Sequence, residues 1–333
     1  MSTSDNKTAL FWEAEGNGVR CVLCPHRCLI KEGGYGLCNA RGNKGGALVS
    51  KSYGSVSAIN IDPVEKKPLF HFYPGSKTLS FGSFGCNLSC GFCQNYSISA
   101  GNPASAEVRL SPEDALYFAL EKNIKLISYT YNEPVTNYEW VLETAELAGK
   151  KGMQNILVTN GYINEEPLLK LCDFIEAANV DLKAFNDTFY KNCGGSLSPV
   201  LKTIEILYKK KVHLELTNLI IEDENSSEDE FKKMIDFISG LSDEIPLHLS
   251  RYFPAYKFTK PQTSEETLKK LYDISRKRLK YVYIGNFDGV KYESTYCKKC
   301  GFCLIERSGY QVKMKCKNPQ LCCNCGAKNN ITI

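Results

Sequence analysis

Short strand-like runs alternate with helix-like segments through the middle of this 333-residue chain. We expect strands at Thr78–Phe84, Lys125–Tyr131, Asn155–Thr159, Asn179–Leu182, His213–Ile221, Leu247–Phe253 and Tyr281–Ile284. The segments between them carry helix signals, such as Ser111 as an N-cap before Pro112. Strands separated by helices pair in parallel through right-handed crossovers, so this order predicts an α/β fold. Six or seven such units fit an open or closed (β/α) barrel better than a three-layer sheet.

Polar residues follow several of these strands at the point where each strand ends. They are Cys86 after the first strand, Glu133 after the second, Asn160 after the third, and Asp181 with Lys183 at the fourth. In barrels of this type the chemistry collects at the carboxyl ends of the strands. We therefore expect these side chains to converge on one mouth of the barrel.

Composition excludes several classes of function. The net charge of +4 is too small to argue for nucleic-acid binding. No apolar run approaches the roughly 18 residues of a membrane span. The polar start from Met1 to Leu10 lacks the apolar core of a signal peptide. We expect a cytoplasmic protein that binds neither nucleic acid nor membrane.

Cysteine is unusually frequent, with 16 residues in the chain. In a cytoplasmic protein a disulfide framework is not expected, and metal or redox use is favoured. The cysteines fall into three groups, and only Cys172 and Cys193 stand apart. A lone cysteine usually behaves as a small hydrophobic residue, and we assign no role to these two.

The N-terminal group has the spacing C-x2-C-x3-C-x9-C, which suits a metal site with four ligands. Its members are Cys21, Cys24, Cys28 and Cys38. Both zinc and an auxiliary [4Fe-4S] cluster fit this spacing. We favour zinc, because closed sites with four cysteine ligands are typical of structural zinc.

The C-terminal group contains two Cys-x2-Cys-Gly knuckles about 20 residues apart, which is typical of a zinc ribbon. The four knuckle ligands are Cys297, Cys300, Cys322 and Cys325. Cys297, Cys300 and Cys303 also read as C-x2-C-x2-C, which suits an iron–sulfur cluster. The pattern predicts a metal site and leaves zinc and an auxiliary cluster open.

The middle group is a triplet, Cys86, Cys90 and Cys93, at CxxxCxxC spacing directly after the first strand. Four cysteines around a four-iron cluster make an electron carrier. Three cysteines would bind three of the four irons and leave the fourth iron open to an added ligand. A structural zinc site and an ordinary ferredoxin-like cluster are the alternatives.

The segment from Cys86 to Cys93 resembles the CxxxCxΦC signature of radical SAM enzymes, with Phe92 as the aromatic residue before the last cysteine. The resemblance implies a partial (β/α)6, TIM-like barrel and a [4Fe-4S] cluster on the three cysteines. It also implies that S-adenosylmethionine (SAM) chelates the fourth iron. One electron would then cleave SAM to a 5′-deoxyadenosyl radical, which abstracts hydrogen from a substrate.

Several downstream segments extend this resemblance and imply contacts to SAM. Asn132 and Glu133 resemble the family's Gly-Glu motif. Segments around Asn160 and around Asp181 and Lys183 are similar to the pyruvate formate-lyase activating enzyme group, which holds SAM with such an Asp and Lys. His248 falls near a SAM-contacting histidine of that group. Glu215 appears where that group has a SAM-contacting arginine.

A closer resemblance covers nearly the whole chain and is to the radical SAM component of the AmmeMemoRadiSam system. The segments that carry it are residues 21–28, 67–76, 93–95, 248–256 and 283–286. It implies AMMECR-type and Memo-type partners. A reductant of the ferredoxin or flavodoxin type is implied as well.

These observations predict three units, namely a Cys-rich module at 1–76, a radical SAM barrel at 77–290 and a second Cys-rich module at 291–333. The predicted activity is reductive cleavage of SAM and hydrogen abstraction from a residue of a protein or peptide. One alternative is an activase of a glycyl-radical enzyme. The other is a scaffold without catalytic activity that holds several zinc ions and binds protein partners.

Overall fold

The N-terminal part consists of short antiparallel strands. A computed structural model describes residues 7–103, 106–287 and 289–333. Its first strands are β1 (Lys7–Thr8), β2 (Trp12–Glu15), β3 (Gly18–Cys21), β4 (Leu29–Lys31), β5 (Arg41–Lys44), β6 (Ala47–Ser50) and β7 (Ser55–Val56). The first six form two three-stranded sheets, ordered β2–β3–β4 and β1–β6–β5. The four N-terminal cysteines lie at the end of β3 and in the loops that precede β4 and β5.

The centre of the molecule is an open sheet of eight strands. In chain order, with the short β10 included, the strands are β8 (Ala58–Pro63), β9 (Lys77–Gly82), β10 (Val108–Arg109), β11 (Leu126–Tyr129), β12 (Gln154–Thr159), β13 (Ala177–Asp181), β14 (His213–Ile220), β15 (Leu247–Arg251) and β16 (Val282–Gly285). From β9 onward all neighbours in the sheet are parallel, and β8 is antiparallel to β9 at one edge. Strand β10 pairs with β7 instead.

This topology confirms the predicted α/β fold with a partial, TIM-like barrel. The sheet runs in the order β8-β9-β11-β12-β13-β14-β15-β16, so β8 and β16 are its two edges. All seven expected strands are present. Strand β8 joins the sheet from the segment that we assigned to the N-terminal module, because its backbone pairs with β9 along six residues from Ala58 to Pro63.

Helices connect the parallel strands and cover the outer face of the sheet. They are α1 (Tyr96–Ser99), α2 (Pro112–Glu121), α3 (Tyr138–Lys150), α4 (Glu165–Leu171), α5 (Asp187–Asn192), α6 (Leu197–Lys209), α7 (Glu228–Leu241), α8 (Glu265–Arg276) and α9 (Val290–Glu293). Ser111 caps α2 as predicted and forms a capping box with Asp114. In α6 the buried residues Val200, Ile204 and Leu207 recur at helical spacing. Each such buried side chain contributes about 1.5–3 kcal/mol to folding. No helix among the described residues is long and apolar enough to cross a membrane.

The segment after β8 closes the inner face of the sheet at the amino ends of the strands. Leu69 and Phe72 pack in one buried cluster with Leu126 and Ala177, the first residues of β11 and β13. The buried carboxylate of Glu215 accepts hydrogen bonds from the backbone N–H groups of Phe70 and His71, at 3.0 and 2.7 Å. The opposite end of the sheet is thereby left as the open mouth.

The C-terminal unit is a small antiparallel sheet that attaches to the same closed end. It contains β17 (Thr295–Tyr296), β18 (Cys303–Ser308) and β19 (Gln311–Met314). The guanidinium of Arg307 is buried, donates a 2.6 Å hydrogen bond to the carbonyl of Phe70, and lies 3.5 Å from Glu65. Thr332 pairs with Phe72 near the end of the chain.

One pair of cysteines forms a disulfide, in a chain for which no disulfide framework is expected. Cys316 and Cys323 form a disulfide in the C-terminal unit, and the remaining 14 cysteines are free. Both residues lie outside the four-cysteine knuckle set, so the disulfide and the predicted metal site do not compete for ligands. A single disulfide between cysteines seven residues apart does not make a disulfide framework.

Candidate active site at the carboxyl ends of the strands

The cysteine triplet lies on the loop that follows β9, at the open mouth of the barrel. As whole residues, Cys86, Cys90 and Cys93 are all partly exposed. Gly85 enters this loop with φ of 88°, and a Cβ at this position would lie 2.4 Å from the carbonyl oxygen of Cys38. Only glycine tolerates both the backbone angle and this close approach. The loop is therefore pressed against the N-terminal part of the chain.

Two of the predicted asparagines hold this loop in place. Asn132 accepts a hydrogen bond from the backbone N–H of Ser83 and donates one to the carbonyl of Gly85, at 2.9 and 2.8 Å. Asn160 donates to the side chain of Asn87 at 2.9 Å, and its Nδ2 lies 3.6 Å from the sulfur of Cys86. Asn132 therefore fixes the backbone before Cys86, and Asn160 holds the side chain of the residue after it.

Glu133 lies behind Cys86 and is almost completely buried. Its carboxylate accepts hydrogen bonds from the hydroxyl of Thr159 at 2.8 Å, the N–H of Asn160 at 2.7 Å and the N–H of Val135 at 3.1 Å. Burial raises the pKa of Glu133 to about 7, although these hydrogen bonds oppose the shift. The residue joins the carboxyl ends of β11 and β12 directly beside the cysteine loop.

Asp181 and Lys183 form an ion pair at the end of β13, with 3.0 Å between Oδ2 and Nζ. The carboxyl side chain of Asp181 is 41% exposed and the Lys183 side chain is 14% exposed. Burial alone would lower the pKa of Lys183, but the Asp181 carboxylate and the nearby Cys90 sulfur hold it well above its usual range. Asp181 thus presents a solvent-accessible carboxylate next to a permanently charged ammonium group.

Cys193 is a site residue that the sequence analysis missed. Its thiol, acting as a donor toward Cys90, lowers the pKa of Cys90 below its usual range. Cys193 is buried, and its carbonyl also accepts a 2.8 Å hydrogen bond from the N–H of Ser89. No local pattern marks this residue, because its contacts lie about 100 residues away in the chain.

Phe92 lies beneath the loop and faces the protein. It is buried, and its ring lies 5.6 Å from those of both Phe189 and Phe258. Such aromatic contacts stabilise the loop through packing. The position fits a supporting role for Phe92 under the cysteine triplet.

His248 is not brought to this group of residues. Its Nε2 donates a 2.6 Å hydrogen bond to Glu215, and its ring packs between Phe70 and Tyr283, with centroid distances of 4.7 and 5.2 Å. Glu215, which occupies the position where an arginine was expected, belongs to the same buried cluster. Both residues help to close the amino end of the barrel, and we leave His248 out of the candidate site.

The C-terminal cysteines form a tight cluster. The sulfurs of Cys297 and Cys325 are 3.7 Å apart, and those of Cys300 and Cys322 are 3.6 Å apart. All four sulfurs lie within 4.8 Å of one another. Among the described residues, no other set of three or more histidine, cysteine or carboxylate side chains brings its ligand atoms this close. Cys303 lies outside the cluster.

The N-terminal cysteines are arranged differently, around a pocket. Cys21, Cys24, Cys28 and Cys38 all line it, together with Asn87 from the loop of the middle triplet. The predicted four-cysteine set is therefore brought together, but its sulfurs are more widely spaced than those of the C-terminal cluster.

Comparison with known proteins identifies the class to which this site belongs. The model of the radical SAM superfamily matches residues 81–238, which include the cysteine triplet, Glu133, Asp181 and Lys183. The uncharacterized protein MJ0808 of Methanocaldococcus jannaschii is 41% identical over 334 residues, which cover 98% of this chain and 100% of that protein. A second uncharacterized protein of that organism, MJ0674, is 24% identical over 71% of this chain and 67% of its own length.

A solved structure shares the fold. The crystal structure of a radical SAM methyltransferase from Sphaerobacter thermophilus superimposes with a TM-score of 0.51. It is 17% identical and covers 73% of this chain and 72% of its own. The family match, the parallel partial barrel and the cysteine triplet at its mouth agree, so residues 81–238 are a radical SAM domain, and the members of that superfamily are enzymes.

Proposed function

We propose that this protein cleaves SAM reductively at a [4Fe-4S] cluster held by Cys86, Cys90 and Cys93. The observation that carries the proposal is the set of three partly exposed cysteine residues on one braced loop at the barrel mouth. The donor set fits the group, because thiolates are the ligands of such clusters. When bound, the cluster supplies one electron to the sulfonium of SAM, which yields methionine and a 5′-deoxyadenosyl radical.

The surrounding side chains prepare the loop for this role. The Cys193 thiol and the Lys183 ammonium both favour the thiolate form of Cys90, which is the form that binds iron. Asn132 fixes the backbone before Cys86, and Asn160 holds the side chain of Asn87 after it. The ligands are therefore held in place before a cluster binds.

Asp181, Lys183 and Glu133 are the groups that we assign to SAM. The exposed carboxylate of Asp181 accepts hydrogen bonds, and Lys183 supplies a positive charge next to it. Glu133 accepts three hydrogen bonds from the protein, and an ionised carboxylate has about four acceptor positions. One position on Glu133 is thus left for a donor such as an ammonium group.

We infer that the hydrogen donor is a residue of a protein or peptide. The support is the open sheet, whose edges β8 and β16 are not paired with each other, so the barrel is not closed. A polypeptide loop needs such access, whereas a small metabolite does not. A reductant of the ferredoxin or flavodoxin type and partners of the AMMECR and Memo types belong to this proposal through the resemblance given above.

The proposal is tested by the product of SAM cleavage. Anaerobically reconstituted protein, given SAM and dithionite, should release 5′-deoxyadenosine. A Cys93→Ala variant should release none, while Cys172→Ala, which changes a partly exposed cysteine outside the three groups, should match the wild type. The proposed reaction would be excluded if wild-type protein of full iron content released no 5′-deoxyadenosine. It would also be excluded if the Cys93→Ala variant released as much of it as the wild type.

We also propose that the C-terminal cluster holds one zinc ion. A tetrahedral zinc site with Zn–S bonds of about 2.3 Å places its sulfurs about 3.8 Å apart. The two closest pairs here are 3.7 and 3.6 Å apart. A Cys300→Ser, Cys325→Ser double variant should lose about one zinc per chain and keep its iron. Iron lost in place of zinc would contradict the assignment.

A further inference from the structure

We propose that Cys21, Cys24, Cys28 and Cys38 bind a second [4Fe-4S] cluster, although their spacing in the sequence favours zinc. The site is separate from the SAM site and lies directly behind it. Three features carry the inference, namely the spread of the sulfurs, the pocket between them and the polar groups that face it.

The spread of the sulfurs argues against a single metal ion. One tetrahedral zinc requires its four sulfurs to be about 3.8 Å apart. The C-terminal cysteines meet this requirement, and among the described residues they form the one such group within 4.8 Å. The N-terminal cysteines are more widely spaced, as is the triplet Cys86, Cys90 and Cys93. The N-terminal group therefore resembles the proposed cluster site and not the zinc site of the same chain.

A pocket occupies the space that these sulfurs surround. It contains about 390 Å³ of space between the protein atoms, with its opening to solvent included. The apolar side chains Leu23, Ile30 and Val135 contribute to its wall. A zinc ion bonded directly to four sulfurs leaves no such space, whereas an iron–sulfur core lies between its ligands and needs room.

Arg41 supplies a positive charge and an unused donor at the pocket. Its side chain is buried, lines the pocket, and is paired with Glu139 at 3.0 Å. The Nε of Arg41 is buried and has no hydrogen-bond partner within the described structure. An unsatisfied buried donor is costly, and the inorganic sulfide of an anionic cluster is an acceptor that would satisfy it.

The pocket also adjoins the loop that holds the first cluster. Asn87, the residue after Cys86, contributes to the pocket wall, and His26 donates a 2.7 Å hydrogen bond from Nε2 to the carbonyl of Asn87. On the other side, Cys24 and Cys28 are partly exposed. A cluster here lies between solvent and the SAM site, where it can pass one electron at a time from an external reductant to the first cluster.

The test is the metal content of a variant that lacks the first cluster. We would reconstitute a Cys86→Ala, Cys90→Ala, Cys93→Ala variant anaerobically and count iron, sulfide and zinc. The proposal predicts about four iron, about four sulfide and about one zinc per chain. Adding the substitutions Cys24→Ser and Cys38→Ser to this variant should remove the iron and leave the zinc. The retained zinc also shows that the chain is folded. Cys172→Ala in the same background should retain both metals.

A spectroscopic readout separates the two sites without any measurement of activity. The paramagnetic signal of the reduced triple variant should be insensitive to SAM, because a cluster with four cysteine ligands has no open iron. A triple variant with no iron overturns the proposal, whether it contains one zinc or two. A triple variant whose paramagnetic signal shifts when SAM is added overturns the proposal as well. None of these outcomes bears on whether wild-type protein cleaves SAM.

Discussion

The carboxylate of Glu215 accepts a 2.6 Å hydrogen bond from Nε2 of His248, and both side chains are buried inside the barrel. His213 donates a second one at 3.0 Å, and two backbone N–H groups donate at 3.0 and 2.7 Å. One buried carboxylate thus joins β14 and β15 to the segment that closes the barrel. Glu215 lies where the family resemblance has an arginine that contacts SAM, and in this protein it has a structural role.

Replacing this carboxylate should destabilise the protein strongly. In a Glu215→Gln variant the amide N–H₂ would face other donors, and the hydrogen bonds to a charged group would be lost. Each such bond contributes about 1.5–3 kcal/mol, so we expect a loss of about 3 kcal/mol or more. Thermal unfolding should show a midpoint several degrees lower. The surface variant Glu266→Gln should unfold like the wild type, and equal midpoints for both variants would contradict this role.

The same residue should shape the acid stability of the protein. Burial alone would raise the pKa of Glu215, but hydrogen bonds from His213 and His248 hold it well below its usual value of 4.5. A carboxyl group with a lowered folded-state pKa stabilises the fold above the unfolded-state value, and this stabilisation disappears as the pH falls. The difference in unfolding midpoint between wild type and Glu215→Gln should therefore be constant above about pH 5 and shrink below about pH 4.5. A difference that grows on acidification would exclude this explanation.

Loss of the Asp181 carboxylate should weaken SAM binding without loss of the cluster. An Asp181→Asn variant retains the shape of the side chain but not its charge, and Lys183 loses its 3.0 Å partner. We expect 5′-deoxyadenosine formation at limiting SAM to fall between about tenfold and about 100-fold. Iron content should stay unchanged. The matched variant Asp173→Asn, at an exposed position, should behave like the wild type, and an unaffected Asp181→Asn would remove Asp181 from the SAM site.

The contact between Cys193 and Cys90 should tune the first cluster. Hydrogen bonds to cluster sulfurs stabilise the added negative charge of the reduced state. A Cys193→Ala variant removes the thiol donor and should therefore bind the full amount of iron with a lower midpoint potential. The shift in midpoint potential is measured by a redox titration that follows the paramagnetic signal of the first cluster, the signal that responds to SAM. Cys172→Ala is the control. An unchanged potential would show that the thiol does not act on the cluster.

Much of the fold was predictable because its signals are local. Apolar runs of strand length, separated by helix signals such as the Ser111 capping box, indicated a parallel α/β sheet before any contact was known. The triplet at Cys86, Cys90 and Cys93 was equally visible, because its members lie within eight residues on one loop. The edge strand β8 was missed, since pairing with β9 depends on a neighbour and not on its own pattern.

The residues available as ligands, and the succession of strands and helices, can be read from the order of the amino acids. The distances between the sulfurs of each cysteine group depend on tertiary packing, and so does the choice between a group that suits a single ion and one that leaves room for a cluster. Packing also places Cys193 beside Cys90 and His248 beside Glu215. Spacing along the chain constrains only near neighbours, whereas packing of the sheet and its loops sets the distances between residues far apart in sequence.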